Sequence, residues 1–211
     1  MLRNPDWEVV KHTLQSVPPE HYMHNWFNQD VASGGALSWQ RWEKHDEVLF
    51  FLKETPRELN VLDYGCGPGM MDFTLADKDY NVYGYDIDEH VITMANLIRS
   101  VQDPIIKDRL VFKTSLPPAE MYFEVCWMSH TLEHIPMEEW PFIFKKLRNQ
   151  VLLFEIAVPI GHGYDNGDGS HVNFWETLES LTSALSASGL TIRATATDET
   201  AWVYRVRGTM E

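Results

Sequence analysis

The chain has 211 residues, enough for one domain with a sizeable core or for such a domain with a small appendage. Hydrophobic residues make up 44%, and 31 acidic against 17 basic residues leave a formal net charge of -14. A surface that negative repels phosphate backbones and anionic lipid, so neither nucleic acid nor a membrane surface is an expected partner.

No run approaches the roughly 18 apolar residues of a membrane span, and the opening MLRNPDWEVVKH has no apolar signal segment. The two cysteines, Cys66 and Cys126, do not suggest a disulfide framework, and a reducing cytoplasm suits them.

The first 55 residues read as helices. NPDWEVVKHTLQS ends at Pro18-Pro19, and PEHYMHNWFNQDV follows with Tyr22, Trp26 and Phe27 at near-helical spacing. SGGALS breaks the pattern. Ser38 then caps WQRWEKHDEVLFFLKET, where Trp39, Trp42, Val48, Leu49 and Leu52 form one apolar stripe closed by Pro56. Residues 1–56 are therefore expected to be a helical cap, and 57–211 the main domain. The histidines His12, His21, His24, His45 and His90 read as surface residues.

From residue 59 the pattern alternates. LNVLDY reads as a strand, GMMDFTLADK as a helix, YNVYGYD as a strand and DEHVITMANLIRSV as a helix capped by Asp88. RLVFKT and MYFEVCWM are strands, MEEWPFIFKKLRN is a helix with Pro141 in its first turns, and QVLLFEIAV is a buried strand. After a Gly/Asp-rich loop, NFWETLESLTSALSASG reads as a helix ending at Gly189, and LTIRATAT and AWVYRVR as a hairpin about DET. Such alternation argues a mostly parallel sheet covered by helices on both faces, finished by an antiparallel pair. Ligands of such sheets bind beyond the carboxyl ends of the strands.

VLDYGCGPGM, at the end of the first strand, carries the chemistry. Gly65, Gly67 and Gly69 permit positive φ and close approach of a ligand to the main chain, and the helix that follows favours a negative group at its N-terminus. Asp86 ends the second strand, where a carboxylate accepts hydrogen bonds from two ribose hydroxyls. The dinucleotide pattern G-x-G-x-x-G fails here, because position 70 is Met70 and the third glycine comes one residue early.

These segments resemble the class I S-adenosylmethionine-dependent methyltransferases. VLDYGCGPG resembles the family's first motif, VYGYDID its second, and YFEVCWMSHTLEHI its fourth strand and the segment after it. The resemblance implies an α/β, Rossmann-like, doubly wound sheet of seven strands in the order 3-2-1-4-5-7-6, with strand 7 antiparallel. It implies S-adenosylmethionine as methyl donor and S-adenosylhomocysteine as product. By the same resemblance Asp63 orients the amino group, Gly65, Cys66 and Gly67 line the methionine and ribose, Asp86 holds the ribose, and Ile87 packs on adenine. Met128 contributes backbone contacts near the sulfonium. Where the family often has an acidic residue for the adenine amine, this chain has VFKTSLPP, so Thr114, Ser115 or backbone takes that contact.

Methyl transfer from a sulfonium asks mainly for in-line positioning, with a base where the acceptor must lose a proton. His130 and His134 are the catalytic candidates; four residues apart, they share a face if the segment is helical. Positioning, cofactor-shell or packing roles are the alternatives for both. Glu133 reads as a helix-surface or hydrogen-bonding residue, and Glu155 as a sheet-end residue bound by backbone N–H groups. The loop PIGHGYDNGDGSHVNFW follows the fifth strand and is expected to act as a lid. His162, Tyr164 and His171, with Trp39 from the helical cap, are the candidate acceptor-pocket residues. His and Asp suit a metal, but the calcium-loop pattern starting at Asp165 fails at Gly167 and Gly169, and no metal is expected. The expected activity is methylation of a small-molecule acceptor. The alternatives are a nucleic-acid or protein methyltransferase, a nicotinamide oxidoreductase, and a non-catalytic binding protein of the same fold. The acceptor and the oligomeric state are not legible.

Overall fold

The structure, a computed structural model, describes residues 2–24, 27, 56–161, 170–198 and 202–210. Most of the expected helical cap lies outside these residues, including the helix expected from Trp39. So do Trp39, His162 and Tyr164 as candidate pocket residues.

Seven strands form one sheet in the order β3-β2-β1-β4-β5-β7-β6. They are β1 (Asn60–Tyr64), β2 (Asn81–Tyr85), β3 (Leu110–Lys113), β4 (Phe123–Ser129), β5 (Val151–Pro159), β6 (Leu190–Asp198) and β7 (Val203–Met210). β1 pairs with β4, β2 with β3, and β4 with β5 in parallel, whereas β7 runs antiparallel to both β5 and β6. This is the order and polarity the motifs implied.

The chain divides into two compact units, residues 1–58 with 66–116, and residues 59–65 with 117–211. In the first unit, α1 (Trp7–Leu14) starts at Asp6, whose carboxylate accepts from the Glu8 N–H. That N-cap is worth about 1 kcal/mol to the helix. α2 (Met70–Asp77) follows the glycine loop, and α3 (Glu89–Ser100) buries Val91, Met94, Ala95 and Ile98 at helical spacing. A short α4 (Pro104–Asp108), which the sequence pattern did not reveal, leads into β3. Gln102, nearly fully buried, ties the N-terminal segment down by donating to the Arg3 carbonyl (2.7 Å) and accepting from the Arg3 N–H (2.8 Å).

In the second unit, β1, β4 and β5 read as near-continuous apolar runs because both faces are covered. α5 (Trp140–Leu147) buries Trp140, Phe144 and Leu147 on one face, and Phe144 meets Phe154 of β5 edge-on at 5.3 Å. Each such aromatic contributes about 1.5–3 kcal/mol by leaving water. Lys145 and Lys146 fall in its exposed last turn. α6 (Leu178–Ala187) begins later than the sequence pattern suggests. Thr177 caps it by accepting from the Ser180 N–H (3.1 Å), while Asn173 is buried and engaged elsewhere. Gly189, at φ 97, ends it.

Candidate active site

The glycine loop follows β1 in an arrangement fixed by its neighbours. Gly65 has φ 88, and a Cβ there would lie 2.5 Å from Oγ1 and 2.6 Å from Cγ2 of Thr131. Both the left-handed backbone and the approach of Thr131 exclude a side chain. The Thr131 hydroxyl donates to the Tyr64 carbonyl (3.0 Å) or to that of Ser129 (3.1 Å), so the start of the loop rests on the turn after β4. Gly69, at φ 76, serves as the N-cap of α2 with no side chain bonded there. The Cys66 N–H donates to the Tyr85 carbonyl (3.0 Å), which joins the rest of the loop to the end of β2.

Asp86 stands just past that end and is half-buried. One carboxylate oxygen accepts from the Gly67 N–H and the other from the Asp88 N–H, each at 2.9 Å. Burial raises its pKa from the ordinary carboxylate value; these two bonds and His21 oppose the shift, and the charge of Asp88 adds to it. A carboxylate offers about four lone-pair sites, so two remain for hydroxyl donors. Ile87 beside it is 83% exposed, an open apolar side chain. Ser115 is exposed, and its carbonyl accepts from the Tyr83 hydroxyl (3.0 Å).

One residue of this half, His21, was missed by sequence reasoning, and Tyr22 beside it was one of the N-terminal aromatics read as either cofactor cover or helix packing. His21 is not a surface residue. Its Nε2 lies 2.6 Å from a carboxylate oxygen of Asp88, with the side chain 14% exposed. The Met23 N–H donates to His21 Nδ1 (3.2 Å), which leaves Nε2 as the donor to Asp88. Burial would raise Asp88, but hydrogen bonds from His21 and the His90 N–H, with the charges of both rings, hold it below the usual range. Asp88 still caps α3, as expected. Tyr22 stacks on His21 at 4.6 Å, and its hydroxyl is the atom a Cβ on Gly67 would meet, at 3.4 Å. Desolvation of the hydroxyl, then the charges of Asp86 and Asp88, raises this phenol above its ordinary pKa, although the residue as a whole is 44% exposed.

The second unit holds the other candidates. Asp63 is 2% exposed at the end of β1, level with Trp127 of β4. Burial, then the charge of Asp63, raises the Cys126 thiol well above its ordinary pKa. Met128 is fully buried in β4, level with Ile156. His130, immediately past β4, adopts φ 51, uncommon for a residue with a side chain, and its N–H donates to the Ala157 carbonyl (2.9 Å). The segment after it is a single 3-10 turn, Leu132–His134, so His130 and His134 do not share a helical face.

Glu133 is not on a helix surface. It is 1% exposed, with one carboxylate oxygen 3.4 Å from His130 Nδ1. His134 Nδ1 lies 2.9 Å from the Ser170 carbonyl, and its ring meets that of His171 edge-on at 4.7 Å. Glu155 also departs from expectation. It is level with Trp127 inside the sheet and pairs with Arg207 through two contacts of 2.7 and 3.2 Å. That pairing gives it a structural role.

A family model described as "Methyltransferase domain" matches residues 36–195. The chain belongs to this methyltransferase-domain family. No curated protein matches its sequence. Its fold is similar to solved methyltransferases. A glycopeptide N-methyltransferase, MtfA, complexed with S-adenosylhomocysteine has TM-score 0.65 and 13% identity over 78% of this chain and 89% of that one. A TehB-like S-adenosylmethionine-dependent methyltransferase from Corynebacterium glutamicum has TM-score 0.61 and 13% identity over 96% and 100%. Magnesium protoporphyrin IX methyltransferase from Synechocystis, with bound S-adenosylmethionine, has TM-score 0.60 and 17% identity over 97% and 96%. Among the described residues of this methyltransferase domain, no helix is long and apolar enough to cross a membrane.

Proposed function

We propose that this methyltransferase domain transfers the methyl group of S-adenosylmethionine to a small-molecule acceptor. The observation that carries the reading is Asp86, held past β2 by the Gly67 and Asp88 N–H groups with lone pairs to spare. When bound, S-adenosylmethionine supplies an activated methyl group on a sulfonium. Asp86 holds the ribose hydroxyls, Ile87 covers one face of the adenine, and Asp63 orients the amino group. Gly65, Cys66 and Gly67 present backbone to the ligand, and Thr114, Ser115 or nearby backbone meets the adenine amine. Tyr22 joins this set through its position over Gly67.

Transfer forms one bond from an acceptor lone pair to the methyl carbon and breaks the carbon–sulfur bond, whose electron pair stays on sulfur. An acceptor hydroxyl or amine also loses a proton. His130 is the base we favour, because a buried carboxylate lies 3.4 Å behind its Nδ1 and stabilises the charged ring. His134, with Nδ1 directed at a carbonyl, keeps a lone pair on Nε2.

A small-molecule acceptor is supported by the charge of -14, which opposes nucleic acid. It is also supported by the fold neighbours named for glycopeptide and magnesium protoporphyrin methylation. His171, Trp39, His162 and Tyr164 remain the proposed acceptor contacts, and the cytoplasm the proposed compartment. The test is release of S-adenosylhomocysteine from the purified protein over a panel of phenol, amine, carboxylate and thiol acceptors. Turnover with one small acceptor and none with RNA or a protein acceptor is expected. Turnover only with a macromolecule would contradict the reading.

A further inference from the structure

We propose that Glu133, His134 and His171 form a binding site for a divalent transition-metal cation, zinc by ligand chemistry, at the turn after β4. Their donor atoms all lie within 4.8 Å of one another. Glu133 is 1% exposed, and among the described residues no hydrogen bond reaches either of its oxygens. His130 Nδ1 lies 3.4 Å from one of these oxygens without a hydrogen bond to it, so the carboxylate is desolvated with its bonding capacity unfilled, and a cation fills it.

The histidines are set up for the same task. His134 Nδ1 lies 2.9 Å from the Ser170 carbonyl. A carbonyl only accepts, so Nδ1 carries the proton and Nε2 keeps the lone pair that a metal requires. Metal-ligating histidines are commonly oriented in this way by a backbone carbonyl. His171 is delivered by main-chain contacts. The Val172 and Asn173 N–H groups both donate to the Glu133 carbonyl (2.8 and 3.1 Å). The Asn173 amide donates to the carbonyls of Leu132 (2.9 Å) and Ile135 (2.6 Å). These four bonds fasten residues 172–173 to the turn carrying Glu133 and His134.

Two imidazoles and a carboxylate suit zinc, whereas calcium and magnesium prefer all-oxygen sets. Three protein ligands leave a fourth position open, the pattern of catalytic rather than structural zinc. Donors about 2.1 Å from a tetrahedral ion sit roughly 3.4 Å apart, so binding draws the three together, most easily through the exposed ring of His134. The expectation of no metal weighed the 159–172 loop on its own. His171 instead finds its co-ligands in a turn more than thirty residues earlier. The open position would accept an oxygen or nitrogen of the methyl acceptor. That last step rests on the methyltransferase reading; the cation site does not.

The test uses the full-length, chelator-stripped protein, titrated with zinc by calorimetry and with cobalt by visible absorption. One equivalent of zinc is expected at a tight site, with cobalt giving d–d bands of a low-symmetry nitrogen–oxygen site that zinc displaces. Glu133→Gln, His171→Ala and His134→Ala should each weaken zinc binding by at least about tenfold. His134 is exposed, so its variant keeps the test valid if a buried substitution impairs folding. No binding by the wild-type protein, or the same affinity and stoichiometry in His134→Ala, would overturn the proposal. S-adenosylhomocysteine is titrated into the same samples. Its binding without zinc binding would defeat the cation site alone, and zinc binding without it would defeat the donor reading alone.

Discussion

Replacing Asp86 by alanine should cost most of the donor affinity, and the structure sets the size of the loss. Two of roughly four lone-pair sites on the carboxylate are used by the Gly67 and Asp88 N–H groups, leaving the others for ribose hydroxyls. A hydrogen bond to a charged group contributes about 1.5–3 kcal/mol. Because Asp86 is already half-buried, little further desolvation opposes binding. Taking the lower figure for each of two bonds gives about 3 kcal/mol, or a weakening of roughly 100-fold or more. Asp86→Asn keeps one acceptor oxygen and the side-chain shape, so its loss should be intermediate, about tenfold. Calorimetric titration with S-adenosylhomocysteine measures both, with circular dichroism confirming that the variants are folded. Alanine and asparagine variants that bind within threefold of the wild type would refute the placement of the ribose. The pH dependence follows from the same residue. Its folded pKa is raised above 3.8, so the accepting carboxylate form, and donor affinity with it, is lost as pH falls through that raised value.

Gly65→Ala should lower the melting temperature and donor affinity together, because it meets both a left-handed backbone and Thr131. Adding Thr131→Ala should recover only part of the stability, since a backbone cost of about 1 kcal/mol persists. Full recovery by the double variant would show that the backbone conformation carries no cost. Asp88, depressed below 3.8 by His21 and the His90 N–H, contributes stability that is present above that pH and lost as pH falls below it. An NMR titration should find its carboxyl pKa low in the wild type and higher in His21→Ala; an unchanged value would remove His21 as the cause. Arg207→Ala removes both guanidinium contacts from the buried Glu155 and should cost about 3 kcal/mol in urea unfolding, while turnover per folded molecule is retained. A specific loss of turnover at unchanged stability would return Glu155 to the site.

The sequence made the β-α alternation and the Gly65–Gly69 loop with Asp86 legible, because each is written in contiguous residues with a fixed spacing, whereas the strand order came only through the family resemblance those motifs carry. What it concealed depends on contacts between distant segments. His21 looks like any exposed histidine until the fold sets it against Asp88. Glu133 reads as polar surface in the sequence, yet it is 1% exposed in a turn whose carbonyl is bonded by the N–H groups of Val172 and Asn173. The Gly65 requirement comes as much from Thr131 as from any ligand. Glu155 looked like a strand-end carboxylate because the antiparallel return of β7, which brings Arg207 to it, cannot be read from β5 alone.

A structure of the protein with S-adenosylhomocysteine tests the central claim most directly. The account predicts both ribose hydroxyls on the Asp86 carboxylate, with the Gly67 and Asp88 N–H bonds intact, adenine against Ile87, and the amino group served by Asp63. A ribose bound away from Asp86, or a ligand that leaves the glycine loop untouched, would contradict it.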